Sequence, residues 1–189
     1  RKSVAYHIAK ILLDNGAEII ASVQFQEQAD AVRKLFPDSP IYVCDLSDEK
    51  SMEEESLKIK GDFGQIYGIA HSVAFANFAD GAKPFHKTTK KDFLQSRDIS
   101  CWSFIKIADL YGHILERDGA MVTISISTTR MEAENYGYMA PVKAALDSSI
   151  CFLAKSLSDF SRIRVNGVGA SLLKTSASAG IPGYVERYL

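Results

Sequence analysis

Apolar residues in this chain switch repeatedly between a helical and a strand period, and this alternation restricts the fold more than any other feature. Val4, Ile8, Ile11 and Leu12 fall on one helical stripe, which Asn15-Gly16 ends as glycine often ends helices. Ala17–Val23 then reads as a strand, and Ala29–Phe36 as part of a second helix. Ile41–Cys44 is a short strand, followed by a helix near Ser51–Lys60 and a strand at Ile66–Ala70. A long helix is expected over Ile99–Leu115, a strand over Ala120–Ile126, a helix over Val142–Leu157 and a strand over Arg164–Val168. Continuous apolar strands alternating with helices predict an α/β fold, a Rossmann-type doubly wound parallel sheet covered on both faces. No repeat, low-complexity segment or linker interrupts the 189 residues, so a single domain suffices.

Both ends read as incomplete. Arg1 falls almost directly on a helix start, so the first strand and its turn are expected to precede it, and Leu189 follows soon after the last strand. In a doubly wound nucleotide-binding fold that first turn receives the pyrophosphate.

Composition removes several function classes. A net charge of -1 gives no electrostatic case for nucleic acid or an anionic membrane. No apolar run approaches the ~20 residues of a bilayer span, and the N-terminus lacks the parts of a secretory signal. Cys44, Cys101 and Cys151 are odd in number and far apart, each in an apolar stretch. They read as buried free thiols of a reducing compartment without metal-ligand spacing, so the expectations are a cytoplasmic protein and no metal.

The segment Tyr136-Gly137-Tyr138-Met139-Ala140-Pro141-Val142-Lys143 carries the chemistry. Where it is helical, seven residues make nearly two turns and bring Tyr136 and Lys143 onto one face. A nearby cation favours phenolate and suits the tyrosine to donate to an oxygen that gains charge. The spacing alone is equally that of a packed Tyr and an exposed Lys. Its place after the strand Ala120–Ile126 sets it at the carboxyl edge of a parallel sheet, where ligands of open α/β folds bind. Pro141 is tolerable in the first turn of a helix that begins near Tyr138.

With these residues the chain resembles the short-chain dehydrogenase/reductases, and among them the bacterial enoyl-acyl-carrier-protein reductases. The resemblance runs through Arg1-Lys2-Ser3-Val4-Ala5, Gln24, Cys44-Asp45-Leu46 and His71-Ser72-Val73-Ala74-Phe75-Ala76. It continues through Ile163-Arg164-Val165-Asn166 and Ser178-Ala179-Gly180-Ile181-Pro182-Gly183. It implies Tyr136 and Lys143 as the catalytic pair. It also implies cofactor contacts from Ser3, Val4, Gln24, Asp45, Leu46, Ser72, Val73, Ala74, Lys143, Leu173 and Thr175. Phe75, Ala76, Tyr136, Met139 and Ile181 are implied as the acyl pocket. Reduction of an enoyl thioester of acyl carrier protein or CoA follows, within a homo-oligomer, a tetramer in the family.

The residues themselves leave some choices open. Asp45, immediately after a strand, can accept from an adenine amino group or cap a helix or turn. Gln24 is neutral where NAD-selective folds usually carry an acid, which leaves NADH and NADPH open; the resemblance leans to NADH. Small residues at Ser72 and Ala74 admit either a ligand or close packing. Three positions depart from the family: Ile126 replaces a second tyrosine, Ser171-Leu172 replaces Gly-Pro, and Pro141 is unusual. Ser127 beside Ile126 allows a carbonyl reductase using Ser127, Tyr136 and Lys143. The departures also allow a cofactor-binding paralogue without turnover.

Overall fold

The structure is a computed structural model describing residues 3–79, 81, 83–126, 136–171, 173, 175 and 178. Helix α1 spans Val4–Asp14, and the Ser3 hydroxyl caps it by accepting from the Tyr6 N–H at 3.1 Å. Gly16 at φ 86° follows the helix, the left-handed turn expected of Asn15-Gly16. The order continues β1 (Ala21–Val23), α2 (Gln26–Arg33), β2 (Ile41–Val43), α3 (Glu49–Phe63) and β3 (Ile66–His71). The Gln28 side chain reaches back to accept from the Gln24 and Phe25 N–H groups and closes the start of α2. Asp48 caps α3.

A 3₁₀ turn at Phe85–Lys87 precedes α4 (Lys90–Arg97), which passes through a π turn at Asp98–Trp102 into α5 (Ser103–Tyr111). Strand β4 (Leu115–Ile126), α6 (Met139–Leu157) and β5 (Arg164–Ala170) complete the described elements. The sequence places one helix over Ile99–Leu115, and here the structure differs. The helical run starts earlier, at Lys90, and stops at Tyr111. Leu115 instead opens β4, because its register opposite Ile66 carries it into the sheet.

Every strand pair is parallel, as the alternation predicts. The pairing is divided into a sheet of order β1-β2 and one of order β3-β4-β5. In the second sheet His71 stands opposite Thr123, and Ile126 opposite Ala170. Helices α5 and α6 cover β4 with Phe104, Met121, Val142, Leu146 and Val165 in one cluster. A second cluster of Ile59, Tyr111 and Ile114 gathers Ile20 and Tyr42 from the first sheet side with Ile66 and Ile69 from β3. Side-chain packing therefore joins the two sheets.

One sequence expectation fails on the outer face of α6. Cys44 and Cys101 are buried thiols, but Cys151 is exposed. Phe152 on α6 is 75% exposed, and Trp102 in the π turn is partly exposed, its indole donating to Glu49. A period of 3.6 residues identifies an apolar position without saying which neighbour covers it.

Candidate active site

Parallel strands send their carboxyl ends to one edge, and several of the implied residues lie there. Gln24 follows β1 and donates through Nε2 to Asp45 Oδ1 at 3.3 Å, just beyond β2. The same Oδ1 accepts from the Ser47 N–H at 2.9 Å and the Ser47 hydroxyl at 2.8 Å. Burial alone would raise the Asp45 pKa; the bonds from Ser47 and Gln24 outweigh it and hold the carboxyl below its ordinary value. Asp45 thus makes a local turn, one of the two roles open to it in sequence. Leu46 lies half-buried beside it.

At the second sheet, Ser72, Val73 and Ala74 follow β3, and Lys143 on α6 reaches across to them. Its Nζ donates to the Ile124 carbonyl at 2.7 Å and to the Val73 carbonyl at 3.4 Å. Lys143 is only 2% exposed, and burial pulls its ammonium down to about 8, with Asp147 and Cys101 opposing more weakly. Among the described residues no carboxylate lies within ion-pair distance of it.

Tyr136 is half-buried in a turn that leads into α6 rather than on the helix itself. The helix starts at Met139 because Gly137 takes φ 56°, a left-handed value outside helical geometry. Tyr136 and Lys143 therefore do not share a helical face, and the premise drawn from their spacing is corrected. Pro141 falls in the first turn of α6, as expected.

Residues that sequence reasoning passed over hold the loop between β3 and the 3₁₀ turn. Tyr138 is buried; its hydroxyl accepts from the Asn77 N–H at 2.8 Å and lies 3.2 Å from the Asn77 carbonyl, to which it donates. Ser100 accepts from the Phe75 N–H at 2.8 Å, and Ser96 lies at hydrogen-bond distance from both the Phe75 carbonyl and Met139 Sδ. Phe75 and Met139, both implied in the acyl pocket, are thereby brought together, with Ala76 half-buried next in the loop. The 96/100/103 spacing of three fully buried serines on one helical run was the available signal.

His71 closes the bottom of this region. Its Nε2 is 2.9 Å from Ser103 Oγ and its Nδ1 is 2.9 Å from Thr123 Oγ1. Ser103 donates to the Ile99 carbonyl, so it accepts from His71 Nε2–H while Nδ1 accepts from Thr123. This assigns a neutral imidazole; burial first, then the Lys143 charge, lowers its pKa to about 3. An unfolded histidine binds its proton below about 6.5, so stability is lost as pH falls from there towards 3. Between pH 7 and 5 the loss should be about 2 kcal/mol in denaturant titrations. A His71→Gln variant should show a flatter dependence over that interval; an unchanged slope would disprove the assignment.

The remaining implied residues are not drawn into this cluster. Ser3 caps α1, Val4 begins that helix, and exposed Leu173 and half-buried Thr175 lie beyond β5, where Ser178 bonds to both. Ile181, Ser127 and Leu172 lie outside the described residues.

The donor set fits a nicotinamide dinucleotide. Lys143 is a buried cation without an ion-pair partner among the described residues. Near the same carboxyl end of β4, the buried Ser125 hydroxyl has no hydrogen-bond partner among them. A sugar hydroxyl or carboxamide satisfies such groups, which are otherwise costly to bury.

A family model described as "Enoyl-(Acyl carrier protein) reductase" matches residues 1–188. The chain belongs to this family. It is 31% identical to the NADH enoyl-[acyl-carrier-protein] reductase FabI of Enterococcus faecalis, over 97% of the chain and 74% of that relative. It is 28% identical to the NADPH enzyme FabI of Staphylococcus aureus, over 97% of the chain and 73% of the relative. The crystal structure of the NADH enoyl-[acyl-carrier-protein] reductase of Aquifex aeolicus superposes with a TM-score of 0.92 at 28% identity, covering 98% of this chain and 73% of that one. The parallel α/β fold is thus a Rossmann-type reductase fold.

Proposed function

We propose that this family member reduces the 2,3 double bond of an enoyl thioester, carried on acyl carrier protein or CoA, as a step of fatty-acid synthesis. The observation that carries this reading is the burial of Lys143 where the carboxyl ends of β3 and β4 meet, seven residues after Tyr136. NADH is the cofactor of first choice, with NADPH open because Gln24 supplies no charge against a ribose phosphate.

When bound, the reduced nicotinamide supplies hydride to the β-carbon of the substrate. Tyr136 donates a hydrogen bond to the thioester oxygen as enolate charge builds on it. Lys143 holds a sugar hydroxyl and keeps a positive charge in a water-poor setting, where it acts more strongly. Phe75, Ala76 and Met139, with Ile181, line the acyl chain. Gln24 and Asp45 hold the adenosine end, Ser3, Val4 and Leu46 flank it, and Ser72, Val73, Ala74, Leu173 and Thr175 border the rest of the cofactor.

The chain works as one domain in the cytoplasm, and copies assemble into a homotetramer. Exposed Phe152 and Trp102 on neighbouring helices support the assembly, since an exposed apolar face favours a partner. No described helix is long and apolar enough to cross a membrane. The carbonyl-reductase alternative rested on Ser127, and no described contact favours it.

The deciding experiment mixes full-length protein, NADH and a crotonyl or longer enoyl thioester and follows absorbance. Oxidation of NADH is expected; bound NADH without oxidation would overturn the reading.

A further inference from the structure

We propose that Ser96 and Ser100 are positioning residues that fix how the acyl chain is held, by clamping both backbone groups of Phe75. The inference rests on the enoyl-thioester reading above, in which Phe75 and Met139 line the chain. Phe75 lies past the end of β3, where no strand partner serves its N–H and carbonyl. Ser100 Oγ accepts from the N–H at 2.8 Å, and Ser96 Oγ donates to the carbonyl at 2.5 Å. The Ser100 hydroxyl can add its own proton to the same carbonyl, 3.4 Å away. One loop residue is thus held at its donor and its acceptor by side chains 25 and 21 positions further along the chain.

The helical run does not need these hydroxyls. A serine inside a helix ordinarily points to solvent or turns back to a carbonyl four residues earlier. Ser103 turns back to Ile99 and Ser149 to Ala145. Ser96 and Ser100 instead send theirs out to the loop, from core positions where apolar residues are commoner. A buried hydroxyl costs free energy unless it is bonded, so its place here is tied to what it bonds. Ser96 also lies 2.9 Å from Sδ of Met139, the first residue of α6, and so joins Phe75 to Met139. Both serines are fully buried and have no surface to offer a substrate, so each acts through Phe75.

A wall held this way matters to the far part of the acyl chain. A crotonyl group ends one methyl beyond its double bond, whereas each methylene of a longer chain gains by burial against a fixed apolar surface. The readout is therefore the dependence of KM on chain length, which a mere loss of folded enzyme leaves unchanged.

The test measures steady-state kinetics of the full-length protein with NADH and crotonyl-, octenoyl- or dodecenoyl-CoA. Ser96→Ala and Ser100→Ala, made singly, should each raise KM for the dodecenoyl thioester by about tenfold, with crotonyl KM and all kcat values within about twofold. Ser103→Ala, which breaks the His71 bond in the same helical run, should lower stability and keep the wild-type dependence on chain length. If one variant fails to fold, the other decides, because each releases a backbone group of the same residue. Wild-type chain-length dependence in the folded variants, equal losses at every length, or a wild type indifferent to length would overturn the proposal and leave the enoyl reading standing. Calorimetric binding of butyryl- and dodecanoyl-CoA keeps the two readings apart. If wild type favours the longer chain and the variants lose that preference, yet wild type turns over no enoyl thioester, the enoyl reading falls and the clamp stands.

Discussion

Tyr136→Phe should reduce enoyl-thioester turnover by about 100-fold or more, the usual scale for losing a positioned proton or hydrogen-bond donor. The loss should appear equally in kcat and kcat/KM, because the bond strengthens only as charge reaches the thioester oxygen. NADH binding should stay near wild type, and so should the fold, since Tyr136 sits in a turn ahead of α6. Tyr138→Phe is the control. The Tyr138 hydroxyl is already committed to both backbone groups of Asn77, so it has no free role as donor to substrate. Its removal should loosen the Phe75–Asn77 loop and raise KM, with kcat within a few-fold. A reversal of the two results would assign the chemistry to Tyr138 instead.

Lys143→Met should be the second large loss, about 100-fold or more in kcat/KM with weakened NADH binding. Its pH behaviour follows from burial. With its pKa pulled from 10.5 to about 8, the folded ammonium carries a desolvation cost that is present in full below pH 8. Above that pH the folded form releases its proton before the unfolded form does, and stability rises until about 10.5. Wild type should therefore gain on the order of 2–3 kcal/mol over that window relative to Lys143→Met in paired denaturant titrations. Turnover by wild type should fall over the same range, as the positive charge is lost. Parallel pH profiles of stability for the two proteins would show that Lys143 is not the titrating group.

How much of this was visible beforehand depends on the range of the interactions. The helix α1 and its ending at Asn15-Gly16 follow from local periodicity and one left-handed residue, and they were read correctly. Helix α4 was passed over because Lys-Lys-Asp-Phe-Leu-Gln-Ser-Arg has no apolar stripe. Its signals were local caps instead, with Thr89 accepting from the Asp92 N–H. The polar start of β4 was missed for the opposite reason. Glu116-Arg117-Asp118 does not read as a strand, and Leu115 is held there by a partner nearly fifty residues away, Ile66.

The candidate site divides in the same way. Lys143 was identifiable through motif and resemblance, but its depth needed α6 to be set against the ends of β3 and β4. The Tyr138–Asn77 contact joins residues 61 positions apart, so no spacing within the motif could reveal it. Asp45 shows the converse. Its local capping role was open in sequence, and the Ser47 bonds show that the carboxylate takes it.

The π turn at Asp98–Trp102 bears on how this protein can change its length. A π turn holds more residues than the α turn it replaces, so the run from Lys90 to Tyr111 behaves as a helix with an insertion already absorbed. Removing one residue there can return the turn to α geometry, so the helix on either side keeps its facing. Ser96 and Ser103 would then still face Phe75 and His71 together. Single-residue deletions should therefore be better tolerated within Asp98–Trp102 than in the regular turns of α4 or α5, where each would shift the facing by about 100°.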